Sequence, residues 1–189
     1  TASLNATGAG TLAWYLSSIG GNPVNTGTSF NTPVLNTTTT YYVESQFPSP
    51  PQFNTPHTNA GGGTYYQNVT YRGQVFDVYA PCTLVSVLVY AQAAMTKTIL
   101  LKNNGVTINS ATVNIPNGSS RVTLNFPLPV GTSLELGTDD GVDLFRNNAG
   151  AVYPFTLGGL VSITDNTANA SGYYYFFYDW EINLPGQTC

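Results

Sequence analysis

Charged side chains are scarce in this sequence of 189 residues, since Asp, Glu, Lys and Arg together make up 7% of it. An ordinary soluble domain has about 25%. Five basic residues stand against nine acidic ones, which gives a net charge of −4. A nucleic-acid surface needs a basic stripe that follows the phosphates, and these five residues are dispersed. The composition therefore excludes nucleic acid as a partner, and it gives no attraction to an anionic membrane surface.

Long hydrophobic runs are missing as well. No apolar segment approaches the roughly 18 residues that a membrane-spanning helix needs, so membrane insertion is not expected. The sequence also shows no secretory leader. It begins inside a pattern typical of a strand, and we therefore expect it to be a processed or excised part of a larger protein.

Residues that carry catalysis are few. Histidine occurs once, as His57 in a proline-rich stretch, so neither a Ser-His-Asp nor a Cys-His site is expected. One histidine and two cysteines do not make an ordinary structural zinc site, and no phosphate-binding glycine pattern is present. We expect no catalytic residue, no enzyme activity and no cofactor. In a secreted protein, Cys82 and Cys189 predict a disulfide, with pairing of Cys189 outside the chain as the alternative.

Aromatic residues, by contrast, are abundant, at 13% of the sequence. Helical periodicity is nearly absent, and alternating runs bounded by Gly, Pro, Asn and Thr recur at the spacing of about 8–12 residues typical of β-sandwiches. The fold class is therefore all-β. We predict a unit of four strands over residues 1–46, a Pro/Gly-rich linker over 47–63, and a jelly-roll-like antiparallel β-sandwich of eight strands over 64–189.

The first unit carries a family resemblance. Ala13-Trp14-Tyr15, Gly20-Gly21, the run GTSF at 27–30 and the run TTTYYV at 38–43 resemble the short Ig-like repeats of large secreted Bacteroidetes proteins, which are type IX secretion substrates. The resemblance implies that Trp14 lies in the core. It also implies that the family's first strand lies upstream of Thr1, so that this Ig-like unit is truncated, with an edge that is open or filled by another segment.

The second unit is similar to a β-sandwich module that follows such repeats. The similar segments are residues 76–78, 86–91, 144–148, 153–155 and 173–180. The resemblance implies an extracellular or cell-surface location and a structural, adhesin-like role in a larger, filament-forming protein. Because an exposed strand edge recruits another strand, we expect neighbouring modules or copies of the same protein as partners, joined by strand addition along residues 3–7.

The aromatic run at 173–180 suggests a second function. Read as one strand over 173–182, it has a core face of Tyr174, Phe176, Tyr178, Trp180 and Ile182. The opposite face begins with Tyr173, Tyr175 and Phe177. If exposed, this face is a platform on which sugar rings stack, and polysaccharide becomes the alternative partner. If the strand is buried on both faces, or if this face docks against the Ig-like unit, the platform does not exist.

Three further groups of polar residues are candidates for a site. Arg146 is a candidate ligand contact or a partner for a nearby aspartate. Asp139, Asp140 and Asp143 surround a glycine turn, so they are candidate ligands for a structural calcium, with an ordinary acidic turn as the alternative. Asp179 and Glu181 share a strand face at a spacing that a glycosidase pair allows, although solvated carboxylates are the simpler interpretation.

Overall fold

The computed structural model describes residues 1–47, 52–54, 62–68, 70–138, 143–183 and 187–188. This part of the chain contains β-strands and no helix. The strands, in chain order, are β1 (Ser3–Asn5), β2 (Thr11–Tyr15), β3 (Asn25–Thr26), β4 (Ser29–Asn31), β5 (Tyr42–Phe47), β6 (Gln52–Asn54), β7 (Gly63–Tyr65), β8 (Arg72–Val78), β9 (Cys82–Ala91), β10 (Met95–Asn103), β11 (Val106–Ile115), β12 (Gly118–Leu128), β13 (Gly131–Thr138), β14 (Phe145–Ala151), β15 (Phe155–Leu157), β16 (Val161–Asn166), β17 (Gly172–Tyr175), β18 (Tyr178–Asn183) and β19 (Gln187–Thr188).

The chain divides into two units. Unit 1 consists of Thr1–Pro50 together with Pro185–Cys189, and unit 2 consists of Pro51–Leu184. Neighbouring strands in both units are antiparallel wherever the structure describes their pairing. The all-β fold class, with an Ig-like unit and antiparallel sheets, is therefore confirmed.

Unit 1 contains a two-stranded sheet, β1-β4, and a four-stranded sheet, β19-β5-β2-β3. Its core contains Trp14, which is 4% exposed as expected and lies 5.9 Å from Phe30 between ring centroids. The indole Nε1 donates a hydrogen bond to the carbonyl oxygen of Gly27 at 2.8 Å. A buried tryptophan needs such an acceptor for its N–H group, so this bond fixes the position of the ring.

Unit 2 contains a six-stranded sheet, β11-β10-β13-β8-β16-β15, and a four-stranded sheet, β12-β9-β18-β6. Phe76 of β8 and Trp180 of β18 are both fully buried and in ring contact, so the two sheets pack face to face. A third sheet, β17-β14-β7, has three strands.

The unit boundaries differ from the predicted ones. The stretch predicted as a linker over 47–63 includes the end of β5, strand β6 and the start of β7. β6 lies at the edge of its sheet beside β18. β19 pairs with β5 of unit 1, although it falls within the range predicted for the second domain.

The prediction of one strand over 173–182 is wrong, because the chain bends after Tyr175. Phe176 has a left-handed backbone with φ of 63°, and the N–H group of Phe177 donates to the carbonyl oxygen of Tyr175 at 2.8 Å. β17 before the bend and β18 after it belong to different sheets. The aromatic run therefore changes sheets, and a single alternation of faces does not apply to it.

The predicted disulfide between Cys82 and Cys189 is not found among the described residues. Within the described part of the chain Cys82 is a buried free thiol, and no cysteine pair lies at disulfide distance. Cys189 itself lies outside the described residues. Cys82 begins β9 and lies in the core of unit 2.

Candidate functional site

The predicted sugar platform is largely buried. Tyr175 is 2% exposed and Phe177 is fully buried, while Tyr173 is half-buried. Stacking on a sugar requires open ring faces, and two of the three rings have none. Of the two alternatives for Tyr173, Tyr175 and Phe177, the structure therefore favours burial over an exposed platform, because both sides of this segment pack against the unit.

Arg146 does lie with two of the predicted residues. Its guanidinium carbon is 4.8 Å from the ring centroid of Tyr173, 5.1 Å from that of Tyr66 and 5.5 Å from that of Tyr175. Its Nη1 also donates to the Tyr175 hydroxyl at 3.0 Å. Arg146 of β14 and Tyr175 of β17 are directly paired residues, so the sheet register brings them together. We call Arg146, Tyr66, Tyr173 and Tyr175 the arginine–tyrosine cluster.

This cluster is suited to holding strands together. Rings around a guanidinium give favourable cation–π contacts, and these are stronger where water is excluded. Within the described residues Arg146 has no ion pair, and its Nε is buried without a hydrogen-bond acceptor. The cation therefore depends on the ring faces that a sugar would otherwise use. The contribution of Tyr66 was not predicted, because it comes from a residue about 80 positions away in the sequence.

The carboxylates at the start of β18 are bound to neighbouring side chains. Asp179 forms an ion pair with Arg121, and Glu181 accepts a hydrogen bond from the hydroxyl of Ser86. Arg121 also donates to Ser86 Oγ and to the carbonyl oxygen of Asp179, both at 2.9 Å. These bonds join β12, β9 and β18. Asp179 and Glu181 therefore act as cross-strand links on one sheet.

The predicted calcium ligands are described only in part. Asp139 and Asp140 lie outside the described residues. The Asp143 carboxylate accepts a hydrogen bond from Gln67 Nε2 at 2.5 Å, and its backbone N–H donates to the carbonyl oxygen of Tyr66 at 2.9 Å. Within the described residues no cluster of three metal-binding side chains is present. The calcium site at Asp139, Asp140 and Asp143 remains a prediction.

The edge of unit 1 at β1 has a geometry suited to binding another strand. β1 pairs with β4, and the N–H groups of Ala6 and Thr32 donate across this pair at 3.0 and 2.8 Å. Because backbone groups alternate in direction along a strand, those of Ser3 and Asn5 point away from β4. Both residues are exposed, and within the described part of the chain β1 has no second neighbouring strand.

The opposite edge of this sheet is partly closed. Asn25 Nδ2 donates to the carbonyl oxygen of Ser29 in β4 at 2.9 Å. This side chain occupies a backbone acceptor that an added strand would otherwise use. The open edge of the two-stranded sheet is therefore the one at β1.

A groove of about 420 Å³ lies beside β1. Its apolar lining comes from Leu4, Trp14, Leu35 and Tyr41, and its polar lining includes Asn5 and Thr39. A strand edge beside an apolar groove is the arrangement that recognises extended peptides, since the edge supplies backbone bonds and the groove accepts a side chain. Residues 3–7 were predicted as the edge, but Leu35 was not predicted to line a groove beside it. The available signal in the sequence was an apolar residue between the turn-forming residues Pro33 and Asn36.

Unit 1 also carries much of the exposed apolar surface. Large hydrophobic side chains with at least 37% exposure occur at seven positions in this unit, which are Leu16, Ile19, Val24, Val34, Leu35, Tyr42 and Val43. Of these side chains, Leu35 lines the groove beside β1.

Comparison with known families supports the same unit. Residues 1–49 match the family model described as an Ig-like domain, CHU_C associated. This segment is thus an Ig-like module of the Bacteroidetes type, and modules of this kind are typical of secreted and cell-surface proteins. No curated protein and no solved structure matches the chain. In the described residues there is no helix of the length and hydrophobicity that a membrane crossing requires.

Proposed function

We propose that this chain is a non-catalytic structural or adhesive module of a larger extracellular protein, exported by type IX secretion, and that it joins neighbouring modules or copies of the same protein by strand addition at β1. The observation that carries the proposal is the open edge of β1 beside the groove lined by Leu4, Trp14, Leu35 and Tyr41. Scarcity of charge supports it, because an added strand then meets few charges that repel it or require solvent.

The backbone pattern defines the added strand. Ser3 and Asn5 each offer an N–H group and a carbonyl oxygen, so a short extended segment satisfies them. Alternate side chains of that segment point toward the groove. We expect an apolar or aromatic side chain there, because the groove is lined by two aromatic rings and two leucines.

The first test uses proline to remove one outward N–H group. Asn5→Pro deletes a donor at the open edge and leaves the Ala6 and Thr32 bonds to β4 in place. The matched control is Ala6→Pro, which deletes the donor to Thr28 and weakens the unit itself. We expect Asn5→Pro to abolish association of the chain through this edge while its thermal unfolding stays close to that of the wild type.

Hydrogen exchange locates the contact. In the wild type, the amides of Ser3 and Asn5 should become protected as protein concentration rises and sedimentation shows association. Exchange of these amides at the unprotected rate in an associated sample would show that copies do not pair here. Association that persists in Asn5→Pro, with Ser3 and Asn5 protected as before, would likewise contradict strand addition at β1.

A further inference from the structure

Strand β11 is a long open edge in unit 2. It pairs with β10 and ends the six-stranded sheet. Its ten residues, Val106–Ile115, contain no charge, no proline and no glycine. Val106 and Ile108 are 65% and 44% exposed, and Ser110 and Thr112 are exposed as well. Natural sheets usually protect such an edge against pairing with another chain.

The other described edges of unit 2 have that protection. β6, β7, β15 and β17 have three or four residues each, so they offer few backbone groups. β12 is long, but its ladder with β9 is interrupted between Thr123 and Phe126, and it carries Pro127 and the ion-paired Arg121. Bulges, prolines and charges are the usual means of preventing edge pairing.

The last seven residues of β11 have none of these features. The register with β10 shifts once, at Ile108 near the start of the strand. From Asn109 to Ile115 the ladder with β10 is uninterrupted. This straight and uncharged segment, residues 109–115, is therefore the part of the edge that is open to another strand.

We propose that β11 pairs with β11 of a second copy of this chain, antiparallel and about a two-fold axis, so that the two six-stranded sheets become continuous. A two-fold contact places the same strand opposite itself, and an uncharged strand does this without opposing like charges. With the axis at Thr112, Ala111 lies opposite Val113 of the second copy, and the two Thr112 residues lie opposite each other. Threonine pairs of this kind stabilise sheets. Seven residues give a contact about 24 Å long.

Alternative partners fit less well. A foreign strand of either direction would satisfy the same backbone groups, but nothing in β11 selects a partner by charge. Self-pairing needs no such selection, because the symmetric contact matches uncharged positions with uncharged positions along the whole segment. This surface is separate from β1, and the inference is independent of the proposed function.

The test compares two threonine-to-lysine substitutions. Thr112→Lys places two like charges opposite each other at the two-fold axis of the dimer. Thr123→Lys adds the same charge at an exposed position of the protected strand β12, away from that axis. By sedimentation velocity from micromolar to hundreds of micromolar, in an Asn5→Pro background that blocks association at β1, we expect a monomer–dimer equilibrium in the chain with no further change and in Thr123→Lys. Thr112→Lys should weaken dimerisation by about tenfold or more, the effect of roughly 1.4 kcal/mol. Circular dichroism and thermal melting confirm that both variants fold.

Two controls separate this contact from the one at β1. Asn5→Pro should leave dimerisation through β11 unchanged, and exchange protection on dimerisation should appear at the alternate amides of residues 109–115 that point away from β10. A wild type that stays monomeric throughout the range would overturn the inference. A dimer unaffected by Thr112→Lys, with protection elsewhere, would overturn it equally.

Discussion

The rings of Trp180 and Phe76 meet edge to face, with 5.0 Å between their centroids and 78° between their planes. The contact joins β18 of the four-stranded sheet to β8 of the six-stranded sheet. Trp180 Nε1 also donates to the carbonyl oxygen of Phe177 at 2.8 Å. One side chain therefore packs the two sheets together and holds the bend that precedes its own strand.

Removing this ring should destabilise unit 2 strongly. Trp180→Ala leaves a cavity in a fully buried position and should lower the free energy of unfolding by about 3–5 kcal/mol. Tyr79→Ala is the control, because Tyr79 is 57% exposed and surface substitutions change stability by about 0.5 kcal/mol or less. Chemical denaturation measures both. Equal effects of the two substitutions would contradict the central position of Trp180.

Gly137 should not tolerate a methyl group. A Cβ atom there would lie 2.4 Å from the ring of Tyr71, and Lys102 Nζ lies 3.5 Å from the centroid of the same ring. Gly137→Ala therefore displaces the ring, and we expect a loss of about 1–3 kcal/mol, as for overpacked cores. A double-mutant cycle with Tyr71→Ala tests the cause: the cost of Gly137→Ala should shrink when the ring is absent, and an unchanged cost would locate the clash elsewhere.

Cys82 should be unreactive in the folded chain. Burial raises the pKa of its thiol to about 11, and the thiolate is the reactive form. A thiol reagent at pH 8 should therefore label Cys82 quickly in denaturant and slowly without it, as followed by mass spectrometry. Rapid labelling of the native chain would contradict the burial.

The same shift predicts a pH dependence of stability. Because the folded pKa of Cys82 is higher than the ordinary thiol value of 9.0, the contribution of the thiol to the free energy of unfolding is fully present below pH 9. It is lost as the pH rises to about 11, since the unfolded chain then releases the thiol proton first. The loss amounts to at most about 3 kcal/mol. Burial also raises the pKa of Tyr174 and Tyr178, so the measurement is the difference in pH slope between the wild type and Cys82→Ala.

Arg146 should act on stability through its planar group. Arg146→Lys keeps the charge but loses the flat guanidinium that faces the rings of Tyr66, Tyr173 and Tyr175. We expect Arg146→Lys to lower the free energy of unfolding by about 1 kcal/mol, and Arg146→Ala by more. Denaturant titrations of both variants check the order. An unchanged free energy of unfolding in Arg146→Ala would contradict the role of the arginine–tyrosine cluster in joining β14 and β17.

Sequence patterns predicted the parts of the fold that depend on local alternation. Most strands of unit 2 and the buried position of Trp14 follow from apolar periodicity and from the family resemblance. β14 was missed because its centre contains Asn147, Asn148 and Gly150, which are poor strand formers. Its pairing with β7 and β17 gives it strand geometry, and such pairing between distant segments leaves no local signal.

The candidate sites, like the fold, were predicted only where a local or family pattern indicates them. The family resemblance left the edge at β1 either open or filled by another segment, and within the described residues β1 has no second neighbouring strand. The single strand over 173–182 was wrong because period two assumes a straight strand, and a left-handed residue at Phe176 ends it. Arg146, Tyr173 and Tyr175 do come together. Tyr66 also faces Arg146, and it follows strand β7, which pairs with β14 through Tyr65 and Phe145.

The pairing of β19 with β5 has a mechanical consequence. Unit 1 contains residues from both the first and the last described strands, and unit 2 is inserted between them. Tension applied between Ser3 and Thr188 is therefore borne first by the ladders of unit 1. The sandwich of unit 2 lies outside this path and experiences no load until the two-residue ladder at β19 has separated.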